Sequence, residues 1–350
     1  MRKIILILLG AILLSACDNC KLTDLEKLEL SSWKDTLETN PEDFSIYSII
    51  DFVNAVTCKD SKNFVQVEDR IAVFDMDGTI ACERPLSMEM LCAYYLAYKS
   101  LPNCETAIND STKKHIEKSI YDMQFDSEKF VEISAFLSDT IRNKCIPVDT
   151  SQRTSRLLSK QFYKPMLELI QYLKRKEFDV YIVSGSEQQF IWGVVQNVKE
   201  LDFDRQHIIG SLTNYESIVY TREGGTKFYL DSTILLSNSS KGKSTNIYNR
   251  INKTPIFAFG NTVNDFDMFA FTSSNKHHRT MCVLLNHDSD TFEAEYNPFD
   301  TCKHVSKNWN NTYYNDSTWN TGIFENIMLL NQWNKMDMSK VFKQDSIFID

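Results

Sequence analysis

Asp75 and Asp77 stand two residues apart at the end of an apolar run, Ile71-Ala72-Val73-Phe74, and Gly78 and Thr79 follow at once. Two carboxylates in one small volume can divide a reaction, one attacking as a nucleophile while the other moves protons. Burying them at a strand end carries a penalty unless a cation offsets it. A hard divalent ion such as Mg²⁺ takes carboxylate and carbonyl oxygens. Taken alone, the pattern also fits a plain acidic turn or a calcium loop. Three further polar groups punctuate the chain: Ser184-Gly185-Ser186, Lys241-Gly242-Lys243, and Gly260-Asn261-Thr262-Val263-Asn264-Asp265.

The elements that must position them can be read from periodicity. Ile71–Asp75, Asp179–Val183 and Pro255–Phe259 are short apolar runs rich in β-formers that end in turn residues, so each predicts a buried strand with the polar group at its tip. Lys241-Gly242-Lys243 opens a segment with Ile247 and Ile251 at helical spacing. Phe162-Tyr163-Lys164-Pro165 leads into a helix with Pro165 in its first turn and Met166, Leu169, Ile170 and Leu173 on one face. Met281–Leu285 predicts a further strand, followed by Asn286-His287-Asp288. Apolar residues at helical intervals between Trp33 and Val56 predict helices packed on the core. About a hundred residues separate the first two strands, too many for one crossover, and they read as helices at 88–98, 112–123 and 128–141. Ile218-Val219-Tyr220 and Phe228-Tyr229-Leu230 flank Gly224-Gly225, a hairpin signal.

In this order the motifs resemble the haloacid dehalogenase superfamily. Asp75-Met76-Asp77-Gly78-Thr79 is similar to its first motif, Ser184 at a strand tip to the second, the lysine to the third, and the Gly260–Asp265 turn to the fourth. The spacing to Ile247 and Gly260 favours Lys243 over Lys241 as the third-motif lysine. Asn261 departs from the general pattern, which has aspartate there, but matches the Gly-Asn-Ser-x-x-Asp of a secreted, phosphoserine-phosphatase-like branch. Phe162 to Leu169, Glu83-Arg84-Pro85 and His287-Asp288 also resemble that branch. The resemblance covers roughly residues 45–343.

It implies an α/β fold, a Rossmann-like doubly wound parallel sheet built from residues 31–80 and 160–350, with a mainly helical cap of the family's first (C1) type inserted at 81–159. It further implies a Mg²⁺-dependent phosphomonoesterase acting through an aspartyl-phosphate. Asp75 would be the nucleophile, Asp77 the acid and base, and Lys243 the charge stabiliser, with Ser184 and Gly185 on the phosphoryl group. The ion would lie among Asp75, the Asp77 carbonyl, Asp265 and Asn261. Glu83 resembles a glutamate that recognises a substrate amine. An amine- or choline-bearing phosphate is therefore the expected substrate class, with Trp192 or Tyr94 as cation–π partners. The plainer reading has Glu83 opening the first cap helix beside Pro85, and His287 as a structural hydrogen-bonder. A phosphotransferase, or an envelope protein that binds a phosphorylated ligand with little turnover, uses the same motifs.

The N-terminus gives an address. Met1-Arg2-Lys3, an apolar run from Ile4 to Leu14 and then Ser15-Ala16-Cys17 read as a signal peptide over 1–16. Leu14-Ser15-Ala16-Cys17 resembles a bacterial lipobox, which makes Cys17 the lipidated first residue, residues 17–30 a tether, and the cell envelope the location. The run is shorter than the roughly 20 residues a spanning helix needs. The chain has 350 residues and a formal charge of −9, and losing Arg2 and Lys3 takes that to −11 (−9 − 2). Such acidity excludes nucleic acid as a partner, since phosphate backbones need cations, and leaves a small phosphorylated metabolite. No obligate protein partner is evident. Of nine cysteines, eight remain after Cys17, an even number suited to disulfides in an oxidising compartment, with 105 possible pairings.

Overall fold

The computed structural model describes residues 29–34, 44–102, 109–121, 127–149, 152–220, 226–290, 293, 295–298 and 327–349. Cys17 and the signal segment, Cys20, Cys104, Cys302 and the Gly224-Gly225 turn lie outside them.

Strand β1 (Ile71–Phe74) alternates its side chains between two cores, as the period of two requires. Ala72 and Phe74 join a cluster with Ile49, Phe52, Leu169 and Ile170. Ile71 and Val73 join a second cluster with Ile247, Phe266, Phe269 and Trp333. A strand buried on both faces needs apolar residues at every position, and all four are buried. The same division holds for β7 (Phe257–Gly260), whose Phe257 and Phe259 face the first cluster and Ala258 the second.

These strands belong to a seven-stranded sheet of order β6-β5-β4-β1-β7-β8-β9. Here β4 is Asp179–Glu187, β5 Ile208–Tyr220, β6 Thr226–Leu236, β8 Met281–Asn286 and β9 Asn334–Asp337. All neighbours pair in parallel except β5 and β6. This is the expected α/β fold with helices over both faces. The chain runs from β1 to β4 on one side and returns to β7 on the other. In open α/β sheets ligands bind beyond the strand ends at such a switch point. The register aligns Phe74 with Ile182 and Phe259, so the next residues, Asp75, Val183 and Gly260, stand abreast.

Helix α1 (Ile46–Thr57) is the described part of the run expected to be helical from Trp33; Trp33 itself is extended and bridges Phe342. The long interval after β1 holds α2 (Met88–Tyr98), α3 (Asp110–Tyr121) and α4 (Ser127–Ser138). It closes with an antiparallel hairpin, β2 (Arg142–Asp149) with β3 (Gln152–Leu157), that periodicity did not predict. Its partial strands (Arg142, Asn143 and Lys144, then Gln152 to Arg156) are polar and lack the alternation that marks a half-buried strand. Helix α5 (Lys164–Arg175) has Pro165 in its first turn and buries Met166, Leu169, Ile170 and Leu173. α6 spans Gln188–Val195, α7 Lys241–Ile251 and α8 Phe266–Ser273. Among the described residues no helix is long and apolar enough to cross a membrane.

Four of the eight cysteines expected to pair, Cys58, Cys82, Cys92 and Cys282, carry free thiols. Cys82, Cys92 and Cys282 are buried, where they pack as small apolar side chains. Their number was even, but parity says nothing about proximity.

The end of the expected tether is docked rather than loose. Glu29 pairs with Arg175 at 2.9 Å and Leu30 is buried. Glu168 on α5 accepts from the Ser32 backbone N–H at 2.9 Å, the Ser32 hydroxyl at 2.8 Å and the Ser31 hydroxyl at 3.1 Å. Trp33 Nε1 donates to Pro165 O at 2.9 Å. Replacing Glu168 by Ala strands these donors, and we expect a loss of about 1–3 kcal/mol in urea unfolding, partly regained in Glu168→Gln. An unchanged urea midpoint in Glu168→Ala would refute this anchoring role.

Candidate active site

Asp75 extends β1 by one residue, and its N–H donates to Phe259 O at 2.9 Å. Its carboxylate is buried and meets Lys243, on the first turn of α7, at 2.5 Å through Oδ1. The same ammonium reaches Asp265 Oδ1 at 2.7 Å. Asp265 also ties down its own loop, accepting from the N–H groups of Asn261 at 2.9 Å and Thr262 at 3.1 Å through Oδ2. Gly260 makes room for this arrangement, because a Cβ there would lie 2.4 Å from Asp265 Cγ. Of the two candidate lysines, Lys243 is the one whose ammonium reaches the aspartates.

Asp77 lies on the β4 side. Its Oδ2 accepts from the hydroxyls of Ser186 at 3.0 Å and Ser184 at 3.4 Å, and its Oδ1 from Met88 N at 3.4 Å, where α2 begins. The turn between the aspartates and the helical insertion depends on Gly78, at φ +77. Gly185 is exposed and an added Cβ would meet nothing within 4 Å. The β4 tip is braced from behind by Asn238, whose Nδ2 donates to Ser184 O at 2.7 Å and Ile209 O at 2.8 Å. Asn246 on α7 holds Asn238 in turn, donating to its Oδ1 at 3.0 Å.

A second polar network adjoins the first. Asn261 Nδ2 donates to Glu83 Oε1 at 3.2 Å and to Tyr296 OH at 2.7 Å, while its Oδ1 accepts from Thr79 Oγ1 at 3.3 Å. Glu83 N lies 3.3 Å from buried Glu293 Oε1, and Glu293 also accepts a short bond from the Tyr163 hydroxyl. His287 Nε2 lies 2.7 Å from Gly78 O and so carries the proton there. The His287 ring stacks on Tyr296 at 4.3 Å. This is a structural role, as expected. Asp288 turns away to Ser339 N, 2.9 Å distant. The expected cation–π candidates are engaged elsewhere: Trp192 beneath Arg205 at 5.5 Å, and Tyr94 against Tyr98 at 4.7 Å.

Sequence reasoning overlooked Ser186, Asn238, Glu293 and Tyr296. The spacing of Ser186, two residues beyond Ser184, puts both hydroxyls on one side of a strand. Isolated loop residues such as Asn238, Glu293 and Tyr296 carry no periodic signal.

The site is rich in buried negative charge. Three carboxylates, Asp75, Asp77 and Asp265, face one ammonium, a formal balance of −2 (−3 + 1). Burial, and then Asp265, raise Asp75 to a pKa of about 7 despite Lys243. Burial also raises Asp77, against the hydrogen bonds from Ser186 and Met88. On Lys243 burial acts downward, but Asp265 and Asp75 outweigh it and hold the ammonium above its ordinary range. A dication would cancel the formal excess. Among the described residues no set of three or more His, Cys, Asp or Glu side chains has metal-holding geometry. The donors that fit Mg²⁺ are therefore mixed: the Asp75 and Asp265 carboxylates with amide or main-chain carbonyl oxygen from Asn261 and Asp77.

Residues 72–270, more than half of the chain, match the family described as haloacid dehalogenase-like hydrolase. Comparison with curated proteins finds no match. Solved structures similar to the chain include a conserved functionally unknown protein from Anaerococcus prevotii DSM 20548, at 14% identity and TM-score 0.44, covering 79% of this chain and 93% of that one. A phosphoserine phosphohydrolase-like protein from Francisella tularensis subsp. tularensis SCHU S4 has 14% identity and TM-score 0.33, covering 62% and 88%. A HAD family hydrolase from Salmonella enterica subsp. enterica serovar Typhi has 17% identity and TM-score 0.31, covering 62% of each chain.

Burial also raises Glu83 to about 8, Glu89 to about 8 with help from Glu187, and Glu293 to about 7. With Asp75 these groups hold protons more tightly folded than unfolded, where carboxyls titrate near 4. Their contribution to stability is full below about pH 4 and is lost as pH rises through about 7 to 8. Chelator-treated protein should therefore melt at a lower temperature at pH 8 than at pH 6, and saturating Mg²⁺ should narrow the gap by replacing protons at Asp75. Thermal scans at both pH values check this, and a gap of opposite sign would contradict it.

Proposed function

The chain belongs to the haloacid dehalogenase-like hydrolases, and we propose that it is a Mg²⁺-dependent phosphomonoesterase acting on a small phosphate ester. The observation that carries this reading is the convergence of Asp75, Asp77, Ser184, Lys243 and Asp265 at one end of three adjacent parallel strands.

In this reading Asp75 Oδ2 attacks phosphorus while Oδ1 stays on Lys243. The P–O bond to the leaving alcohol breaks as the aspartyl-phosphate forms, and Asp77 gives its proton to that alcohol oxygen. Burial raises Asp77 and so favours its proton-holding form, and the Ser184 and Ser186 hydroxyls steady the carboxylate that results. Asp77 then takes a proton from water as the water attacks the aspartyl-phosphate, which releases inorganic phosphate and regenerates Asp75. Lys243, Ser184 and the N–H groups near Gly185 are supports for the phosphoryl oxygens, since phosphoryl transfer depends chiefly on positioning and charge neutralisation. Mg²⁺, held by Asp75, Asp265 and carbonyl oxygens from Asp77 and Asn261, would neutralise charge on the phosphoryl group.

Asp77 favours phosphate over halide chemistry, because the dehalogenase members the chain resembles lack the second aspartate. Half-buried Glu83 beside the site supports an amine- or choline-bearing ester as substrate, since a bound cation would favour the ionised form of its carboxyl. The helices between 88 and 138 are read as a first-type cap, and residues 17–30 as the link to a lipid anchor at Cys17 in a bacterial envelope.

Two experiments test this. Wild-type protein with Mg²⁺ should hydrolyse p-nitrophenyl phosphate, and across a panel of esters it should prefer cationic alcohols. Asp75→Asn should lose activity by more than about 10⁴-fold and Asp77→Asn by about 10²–10⁴-fold. Glu83→Gln should erase the preference for cationic alcohols. Activity that survives Asp75→Asn would sink the mechanism, and no turnover by wild type would favour a binding role. Separately, cells expressing the chain should incorporate labelled fatty acid into it, and Cys17→Ser should abolish the label; a label that persists would reject the anchor.

A further inference from the structure

The amide of Asn261 is engaged at both ends, with one lone pair of Oδ1 left over. It is 1% exposed, with Nδ2 donating to Glu83 and Tyr296 and Oδ1 accepting from Thr79. A Cβ on Gly78 would lie 1.9 Å from Nδ2, so the amide is hemmed in from that side too. Glu83 is not a loose rim residue, because its N–H is directed at Glu293, which is fixed by Tyr163. An aspartate at position 261 would have no hydrogen to give. It would set a second carboxylate against Glu83, where Nδ2 now sits 3.2 Å from Oε1, and like charges that close in a low-dielectric site repel strongly.

We propose that Glu83 is a positioning residue for Asn261: its carboxylate, with the Tyr296 hydroxyl, orients the side chain at 261 and requires that it be an amide. The departure at this motif position is then half of a matched pair: the Glu83 carboxyl already stands where a further carboxyl at 261 would face it. The pairing stands on the contacts alone. Its consequence for Mg²⁺ rests on the phosphatase reading above.

The test is a double-mutant cycle on the full chain in chelator at pH 8, followed by thermal unfolding. Asn261→Asp should lower Tm by at least about 3 °C. In the Glu83→Gln background the same substitution should lower it by less than half as much, since a glutamine can donate to the new carboxylate. Equal losses in both backgrounds would overturn the proposal, as would no loss in the single variant. If Asn261→Asp is too unstable to purify, a soluble and cooperatively melting double variant supports the pairing, and an equally insoluble one overturns it. A Mg²⁺ titration of Tm addresses the second half. The double variant should need about tenfold less Mg²⁺ than wild type, because a carboxylate binds the ion better than an amide. An unchanged requirement would overturn the link to the ion, while the phosphatase reading would still stand or fall on Asp75→Asn.

Discussion

One ammonium shared by two buried aspartates is the contact on which the rest of the site depends. Lys243 lies between Asp75 and Asp265, and removing either a strand tip or the start of α7 would leave an uncompensated charge in the interior, which is strongly destabilising. Lys243 and Asp265 are 22 residues apart, but Asp75 is 168 residues from Lys243, so nearly half of the chain must close before its carboxylate is neutralised. The parallel sheet meets this demand through register. Phe74 pairs with both Ile182 and Phe259, which fixes the height at which the polar tips emerge. The apolar strands below need no more than burial on two faces, and their side chains divide between the two cores accordingly.

Close approach is the second constraint. Gly260 allows Asp265 to fold back over its own turn, and Gly78 at φ +77 lets the chain turn from the first motif under Asn261. Neither position tolerates a side chain without displacing a group of the site. Behind the β4 tip, Asn238 satisfies the carbonyls of Ser184 and Ile209 where β4 and β5 part. It meets the hydrogen-bonding needs of backbone that the ladder no longer pairs. On the other flank, Tyr296, Glu293, Tyr163 and His287 hold the segment from Gly78 to Glu83. The site is thus supported on one side by the sheet and its bracing asparagine, and on the other by a buried polar network.

Parts of this were legible before any coordinates. The runs at 71, 179 and 255 announced strands because buried parallel strands must be apolar throughout, and the polar residues after them announced tips. Pro165 and the apolar residues that follow announced a helix for equally local reasons. The hairpin of β2 and β3 was not legible, since its partial strands are polar and carry no alternation. The helical expectation between Trp33 and Val56 held for Ile46–Thr57 but not at Trp33 itself, whose apolar ring instead packs on the distant Phe342. Cysteine parity held only in part: Cys145 is disulfide-bonded, but pairing depends on distance, and Cys82, Cys92 and Cys282 settle in the core as free thiols.

The amino-acid order alone determined which chemical groups are available and that they stand at strand ends: two aspartates before a glycine, a serine, a lysine at a helix start, and an asparagine where an aspartate is general. It also marked the buried strands as short apolar runs, and the resemblance carried by the motifs at their tips implied the doubly wound parallel sheet. Only the folded chain decided which lysine serves. Lys241 and Lys243 sit two residues apart on a helix that turns about 100° per residue, so they point in different directions and one alone meets the aspartates. It likewise decided that Asn261 faces Glu83 and Tyr296. That contact joins residues 178 and 35 positions away, and no local pattern encodes a pairing whose partners meet only after the sheet has closed.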